Sequence, residues 1–179
     1  MHIICIAGLI GSGKDTAAEY IAKKYGYHII DYAQILREIC RKEGLEVNRD
    51  NLQNLRIKYG NTFLAEEVVN RVKKSGHNKI VLTPLRRSED YEIPKRVFGT
   101  AVKLLVIESD QSVRFERLNK RGRENDPKDI TEFQRQDTRE WQIYDFDKTF
   151  SYADFKIINN GNINALHKEV EKVMKKLGG

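Results

Sequence analysis

The sequence predicts an α/β fold, a parallel five-stranded sheet with helices on both faces, and three observations lead there. A short apolar run, Ile3-Ile4-Cys5-Ile6-Ala7, passes directly into the glycine-rich stretch GLIGSGKDT at residues 8–16. Further apolar runs of strand length recur at residues 27–30, 80–82, 102–107 and 155–158. Between them lie segments whose apolar residues fall three and four apart, the spacing of helices that cover a sheet. Strands joined by such long helical connections pair in parallel.

Taken in order, the glycine stretch has the spacing GxxxxGK between a strand and a helix, which is the setting of a phosphate-binding loop. Gly8, Gly11 and Gly13 can adopt backbone angles closed to other residues. Successive N–H groups then converge on an anion that also meets the positive end of the following helix. Lys14 would reach the terminal phosphates. The helix over residues 14–25 carries Ala17, Ala18, Ile21 and Ala22 on one face, and Gly26 terminates it. After the strand at 27–30, a helix starts near Asp31 with Ile35, Leu36 and Ile39 as its apolar positions. Strand ends of this kind are where open α/β sheets bind ligands.

Residues 44–48 break the pattern. Two more helices follow, one holding Leu52 and Leu55, the other starting near residue 61 and holding Phe63, Leu64, Val68, Val69 and Val72. A helical insertion over residues 37–78 therefore precedes the third strand, which ends at Thr83-Pro84-Leu85-Arg86. Ser88 is placed to cap a short helix that Pro94 interrupts and Gly99 ends. The run at 102–107 is the most hydrophobic in the chain and reads as a central strand. A helix over 109–120 is followed by Arg121-Gly122-Arg123-Glu124-Asn125-Asp126-Pro127, an exposed loop. Arg135 and Arg139 share one face of the next helix, residues 130–141. The last strand runs into Asn159-Asn160-Gly161, and a helix at 165–177 closes the chain.

A length of 179 residues suits one domain, residues 1–179, and a net charge of +6 favours polyanionic ligands without choosing among them. Cys5 and Cys40 lie far apart and read as small core residues in a reducing compartment. No histidine or cysteine spacing suggests a metal site. The chain shows no signal peptide and no apolar run of membrane-spanning length, so a cytoplasmic protein is expected. Oligomeric state is not legible here.

In the loop, Asp15 stands where the strict pattern has Ser or Thr, and the hydroxyl arrives one place later at Thr16. Adenylate kinase and its relatives carry GKGT there, and phage-type deoxynucleoside monophosphate kinases read GKDT. Ala153-Asp154-Phe155-Lys156-Ile157-Ile158-Asn159, followed by Gly161, is similar to the AD-x-x-I-x-N-x-G of dephospho-CoA kinases. Arg117-Leu118 and Arg121 match their RL-x-x-R lid segment. Arg37 matches the arginine that follows the second strand in nucleoside monophosphate kinases, and Arg135 and Asp137 fall where the group often has R-x-D. Over nearly its full length the chain resembles the adenylate kinase and dephospho-CoA kinase group of P-loop kinases, and within it the small archaeal adenylate-kinase-related proteins.

This resemblance implies ATP as phosphoryl donor and Mg²⁺ as its companion. Gly8, Gly11, Ser12, Gly13, Lys14, Asp15 and Thr16 would hold the donor phosphates, with Asp15 or Thr16 assisting the metal. Asn159 and Gly161 would border the adenine, and Arg117 would bind ATP from the lid segment, closing on the γ-phosphate. Lys14 is the first catalytic candidate, joined by Arg121 from a lid over residues 119–130 and by Arg135 from the helix after it. A small-molecule acceptor bearing a phosphate would meet Arg37 and Arg86, with Arg56 and Arg49 in the helical insertion as weaker candidates. Asp31 is either a base, as in dephospho-CoA kinases, or a helix cap. One departure stands out: relatives end the third strand with an acidic turn, and this chain has Thr83 there.

Phosphoryl transfer needs positioned cations more than it needs a base, because negative charge spreads over the equatorial oxygens. The expected activity is transfer of the γ-phosphoryl of ATP to a nucleoside or deoxynucleoside monophosphate. The alternatives are a dephospho-CoA kinase or related small-molecule kinase, and an ATP-hydrolysing switch or assembly factor that binds RNA. An RNA-binding surface needs a basic stripe with exposed aromatics, whereas the positive residues here cluster in segments facing the nucleotide.

Overall fold

A computed structural model describes residues 1–123 and 126–178, apart from the side chains at 49 and 50. Five strands, β1 (His2–Ala7), β2 (His28–Asp31), β3 (Lys79–Leu85), β4 (Val102–Glu108) and β5 (Phe155–Ile158), form one sheet in the order β2-β3-β1-β4-β5. Every pairing is parallel. Alternate side chains of β1 serve the two faces, as the pleat requires. Ile3, Cys5 and Ala7 join one apolar cluster, whereas Ile4 and Ile6 join the other.

The second cluster is closed by α1 (Lys14–Tyr25) and α9 (Ile163–Lys176), through Ala17, Ala18 and Ile21 on one helix and Leu166, Val170 and Met174 on the other. Gly26 ends α1 as expected, in the left-handed conformation, with its N–H on the Ala22 carbonyl. On the opposite face lie α2 (Tyr32–Lys42), α3 (Arg49–Tyr59) and α4 (Phe63–Ser75), three consecutive helices between β2 and β3. Cys5 and Cys40 are buried and unpaired, and burial pushes the Cys5 thiol pKa up. Among the described residues no helix is long and apolar enough to cross a membrane.

Strand β3 ends within the expected stretch, at Leu85, and the Thr83–Pro84 peptide in it is cis. Several other elements differ from the expectation. Ser88 precedes α5 (Glu89–Phe98) without capping it by its side chain. Asp90 satisfies the turn instead, its Oδ2 accepting the N–H groups of Arg86 and Arg87 at 3.0 and 3.1 Å. Nor does Pro94 interrupt α5. Proline lacks the N–H that would bond the carbonyl four residues back. That carbonyl belongs to Asp90, and it accepts the Tyr32 hydroxyl at 2.7 Å.

Helix α6 (Gln111–Arg121) is followed by α7 (Ile130–Tyr144), which runs past its expected end at residue 141, and by a short α8 (Phe146–Ser151) that was not expected. Asp145, with φ of 47°, separates α7 from α8 and lets Phe146 and Phe150 turn into the core. Within the loop between α6 and α7, Pro127 is buried, although the whole stretch read as exposed; Glu124 and Asn125 lie outside the described residues.

Candidate nucleotide and acceptor site

The C-terminal ends of the strands carry the site. Where β1 meets α1, the backbone needs glycine: Gly11 and Gly13 have φ of 80° and 95°. A Cβ on Gly13 would fall 2.4 Å from Asn159 Nδ2, and one on Gly8 would fall 2.4 Å from the Ile107 carbonyl oxygen. No side chain caps α1, so the N–H groups of Lys14, Asp15 and Thr16 in its first turn have no intrahelical acceptor and face an incoming anion. The loop therefore fits the phosphates of a nucleotide. Replacing Gly13 with alanine is expected to weaken binding of a fluorescent ATP analogue on the order of tenfold, through strain and the clash with Asn159.

Lys14 is almost wholly buried, with 9% of its surface exposed. Burial lowers its pKa, against the nearby Asp15 carboxylate at 3.8 Å, while the charges of Arg86, Glu140 and Arg121 also reach it. Asp15 is exposed and Thr16 half-buried. Among the described residues no group of three acidic, histidine or cysteine side chains converges. A Mg²⁺ ion would then take its ligands from the donor phosphates and water, with Thr16 or Asp15 beside it, as is usual for this ion.

Arg117 and Asn159 tie the loop to the end of β5. The guanidinium donates to the Gly161 carbonyl at 2.8 Å, to the Gly11 carbonyl at 3.3 Å and to Asn159 Oδ1 at 3.4 Å. Asn159 is buried and donates its amide to the Ser12 carbonyl at 2.8 Å. Beside them a cavity of about 200 Å³ is lined by Gly13, Thr16, Arg117, Asn159 and Gly161, so five of the residues expected to hold the donor are gathered at one place.

On the other side of the loop, Arg37, Arg56 and Arg86, three of the acceptor candidates, line one cavity of about 250 Å³. Arg139 joins them from α7. Arg86 lies 5.2 Å from the centre of the Tyr144 ring and donates to Glu140 Oε2 at 3.0 Å. A larger neighbouring cavity, about 640 Å³, shares Leu52, Arg86 and Glu140 with it and reaches Ile10 in the loop and Asp126 and Lys128 near the lid. The Arg86–Glu140 pair thus stands where the two spaces meet.

The remaining candidates are more dispersed. Arg121 is bound to Asp126, with Nε donating at 2.9 Å, and stands near enough to influence Lys14. Arg135 is exposed and lines none of these cavities. Asp31 caps α2, accepting the Gln34 N–H at 2.9 Å, and its second oxygen lies 3.8 Å from Arg37. The Arg49 side chain lies outside the described residues.

Sequence reasoning missed Arg114, Glu140 and Asp90. Arg114 is 3% exposed and grips Asp137 with two hydrogen bonds of 2.7 and 2.6 Å, while also donating to the Ile10 carbonyl of the loop at 3.3 Å. Asp137 in the Arg-x-Asp segment was the available signal. For Glu140 and Asp90 no local signal exists, since each is defined by a partner brought from another element or by a turn.

The sheet order, the glycine loop and the flanking helices define a P-loop domain of the kinase fold. A family model described as an AAA domain matches residues 7–134. A shikimate kinase from Acinetobacter baumannii, solved with shikimate, superposes with a TM-score of 0.65 at 17% identity, covering 99% of this chain and 93% of that one. A gluconokinase from Sinorhizobium meliloti gives 0.63 at 16% identity, covering 98% and 93%. In sequence, a UPF0200 protein of Pyrobaculum aerophilum is 30% identical over 99% of both chains. A UPF0200/UPF0201 protein of Archaeoglobus fulgidus is also 30% identical over 99% of this chain, which spans 56% of that protein's length. The chain belongs to the AAA-domain family so described and to the UPF0200 proteins.

Proposed function

We propose that this protein transfers the γ-phosphoryl group of ATP to a nucleoside or deoxynucleoside monophosphate. The observation that carries the reading is the convergence of Arg37, Arg56, Arg86 and Arg139 from separate elements on one cavity, which shares Arg86 and Glu140 with a neighbouring cavity that reaches Ile10 of the phosphate loop. Guanidinium groups bind phosphate oxygens in pairs and keep their charge, so this cavity suits an acceptor that is itself a phosphate. Such an acceptor needs no general base.

In this reading the loop amides and Lys14 hold the donor's phosphates, and Arg117 with Asn159 and Gly161 borders its base. Bound Mg²⁺ would neutralise charge on the donor phosphates, with Thr16 or Asp15 at its side. Arg121 and Arg135 close from the lid side, excluding water that would otherwise hydrolyse the donor. The resemblance to adenylate kinases supports this acceptor; the shikimate kinase and gluconokinase likeness speaks to fold alone.

A second reading, transfer to a hydroxyl as in dephospho-CoA, draws on one observation. The Asp31 oxygen not used for capping lies 3.8 Å from Arg37, a residue of the acceptor cavity. A carboxylate at that place would accept the proton of a hydroxyl acceptor.

The test is a turnover and thermal-shift screen with Mg-ATP against each ribo- and deoxynucleoside monophosphate and dephospho-CoA. One monophosphate that both raises the melting temperature and drives ADP release supports the first reading, and dephospho-CoA doing so supports the second. ATP hydrolysis that no acceptor accelerates overturns both in favour of a switch or assembly factor. For the active acceptor, Arg37→Ala is expected to raise KM about ten- to a hundredfold, the loss of one charge-assisted contact, with KM for ATP unchanged.

A further inference from the structure

A fourth cavity, about 330 Å³, has no part in the transfer described above. It lies against the phosphate loop at the ends of β4 and β5, beneath α7 and α8. Leu9 and Ser12 come from the loop, Glu108 and Asp110 from the end of β4 and the turn after it, and Trp141 and Phe150 from the two helices. Trp141 and Phe150 belong to the core face that carries α2, so the cavity is on the side of the sheet away from α1.

Of its polar groups, the Ser109 hydroxyl is engaged, donating to Asn160 Oδ1 at 3.2 Å and accepting from Arg117 at 3.3 Å, whereas among the described residues the other three are little committed. Ser12 is fully buried, and its hydroxyl has no hydrogen-bond partner. Asp110 occupies the position before α6 without capping that helix by its side chain. Glu108 faces only the Lys156 ammonium at 3.9 Å, itself half-exposed. Two carboxylates line the cavity, and no basic side chain does. Arg114, the nearby buried cation, is already engaged by Asp137.

Carboxylates repel anions, which excludes a second phosphate-bearing ligand. Aromatic rings beside carboxylates attract an organic cation, through the ring faces and through charge pairing. Leu9, Ile107 and Ile158 leave room for an apolar body. We propose that this cavity binds a small organic amine, its ammonium toward Glu108 and Asp110 and its apolar part against Trp141 and Phe150. Because Ser12 belongs to the phosphate loop, occupancy there alters nucleotide affinity. The inference does not depend on which acceptor the enzyme uses.

Trp141 is the single tryptophan of the chain, so its emission reports the cavity directly. The full-length protein is titrated with phenethylamine, with 2-phenylethanol as the neutral probe and phenylacetate as the anionic one. A saturable change with the amine is expected, at least about tenfold tighter than with the alcohol, and none with phenylacetate. Asp110→Asn, an exposed position, should weaken the amine about tenfold at unchanged melting temperature, and adding Glu108→Gln should abolish the response. Saturating amine should shift the affinity for a fluorescent ATP analogue by about fivefold or more. Equal binding of amine and alcohol, or no saturable response, overturns the cation site. Amine binding that leaves ATP affinity unchanged overturns the coupling through Ser12.

Discussion

Replacing Lys14 with alanine is expected to reduce phosphoryl transfer on the order of a thousandfold or more, the scale of losing a positioned cation at a transferring phosphoryl group. Protein stability should be unchanged or slightly higher. The ammonium is buried at the head of α1, and burial lowers its pKa below the ordinary value of 10.5, so the fold carries this charge against its own preference. Between the lowered value and 10.5 the unfolded chain binds more protons than the folded one. The wild type therefore gains stability with rising pH across that interval, and Lys14→Ala does not. Steady-state turnover and thermal unfolding at pH 7 and pH 10 test both parts. An unfolded variant would assign Lys14 a structural role instead.

Asp137→Ala is expected to give the largest loss of stability, about 3–5 kcal/mol, with a melting temperature lower by roughly 10 °C. The cause is the charge left behind. Arg114 is 3% exposed and Asp137 8%, and their two hydrogen bonds are 2.7 and 2.6 Å long. Without the carboxylate, a guanidinium remains buried against Phe133, whose ring centre is 5.2 Å away. Replacing both partners by apolar residues of similar size, Arg114→Met with Asp137→Leu, should recover most of the loss, because no unpaired charge then remains. Calorimetry of the three proteins checks the sign. If the double variant is as unstable as the single one, the pair stabilises by more than charge compensation.

What was legible in the sequence was local. The phosphate loop could be read because its glycines, lysine, strand and helix are consecutive, and Gly26 could be read as a stop because it sits at the end of one periodic face. Of the arginines that share one cavity, Arg37 and Arg86 were named from the sequence, the first by its place after a strand, and Arg56 as a weaker candidate; the cavity adds Arg139. Partners distant in sequence were not legible. Nothing near Pro94 announces that Tyr32 will take the carbonyl that the proline leaves vacant. Nothing near Arg86 shows that Asp90 fixes its backbone and Glu140 its guanidinium. The end of α7 was placed too early, at residue 141, and α8 was not read at all, because the turn between them rests on the left-handed backbone of Asp145, which is neither glycine nor proline and gives no local sign of a break.

The central position of β1 has a consequence for how the chain acquires its shape. His2 pairs with Lys79 and Ile3 with Val102, so β1, made before the other four strands of the sheet, waits for partners made much later. Contacts of such separation slow folding, because a long loop must close before they form. The glycine loop waits longer still. Its braces, Arg114, Arg117 and Asn159, come from the last part of the chain, and Asn159 follows the final strand. A nascent chain released before Asn159 would carry the complete GLIGSGKDT segment without the supports that shape it, so nucleotide capture marks the completion of folding.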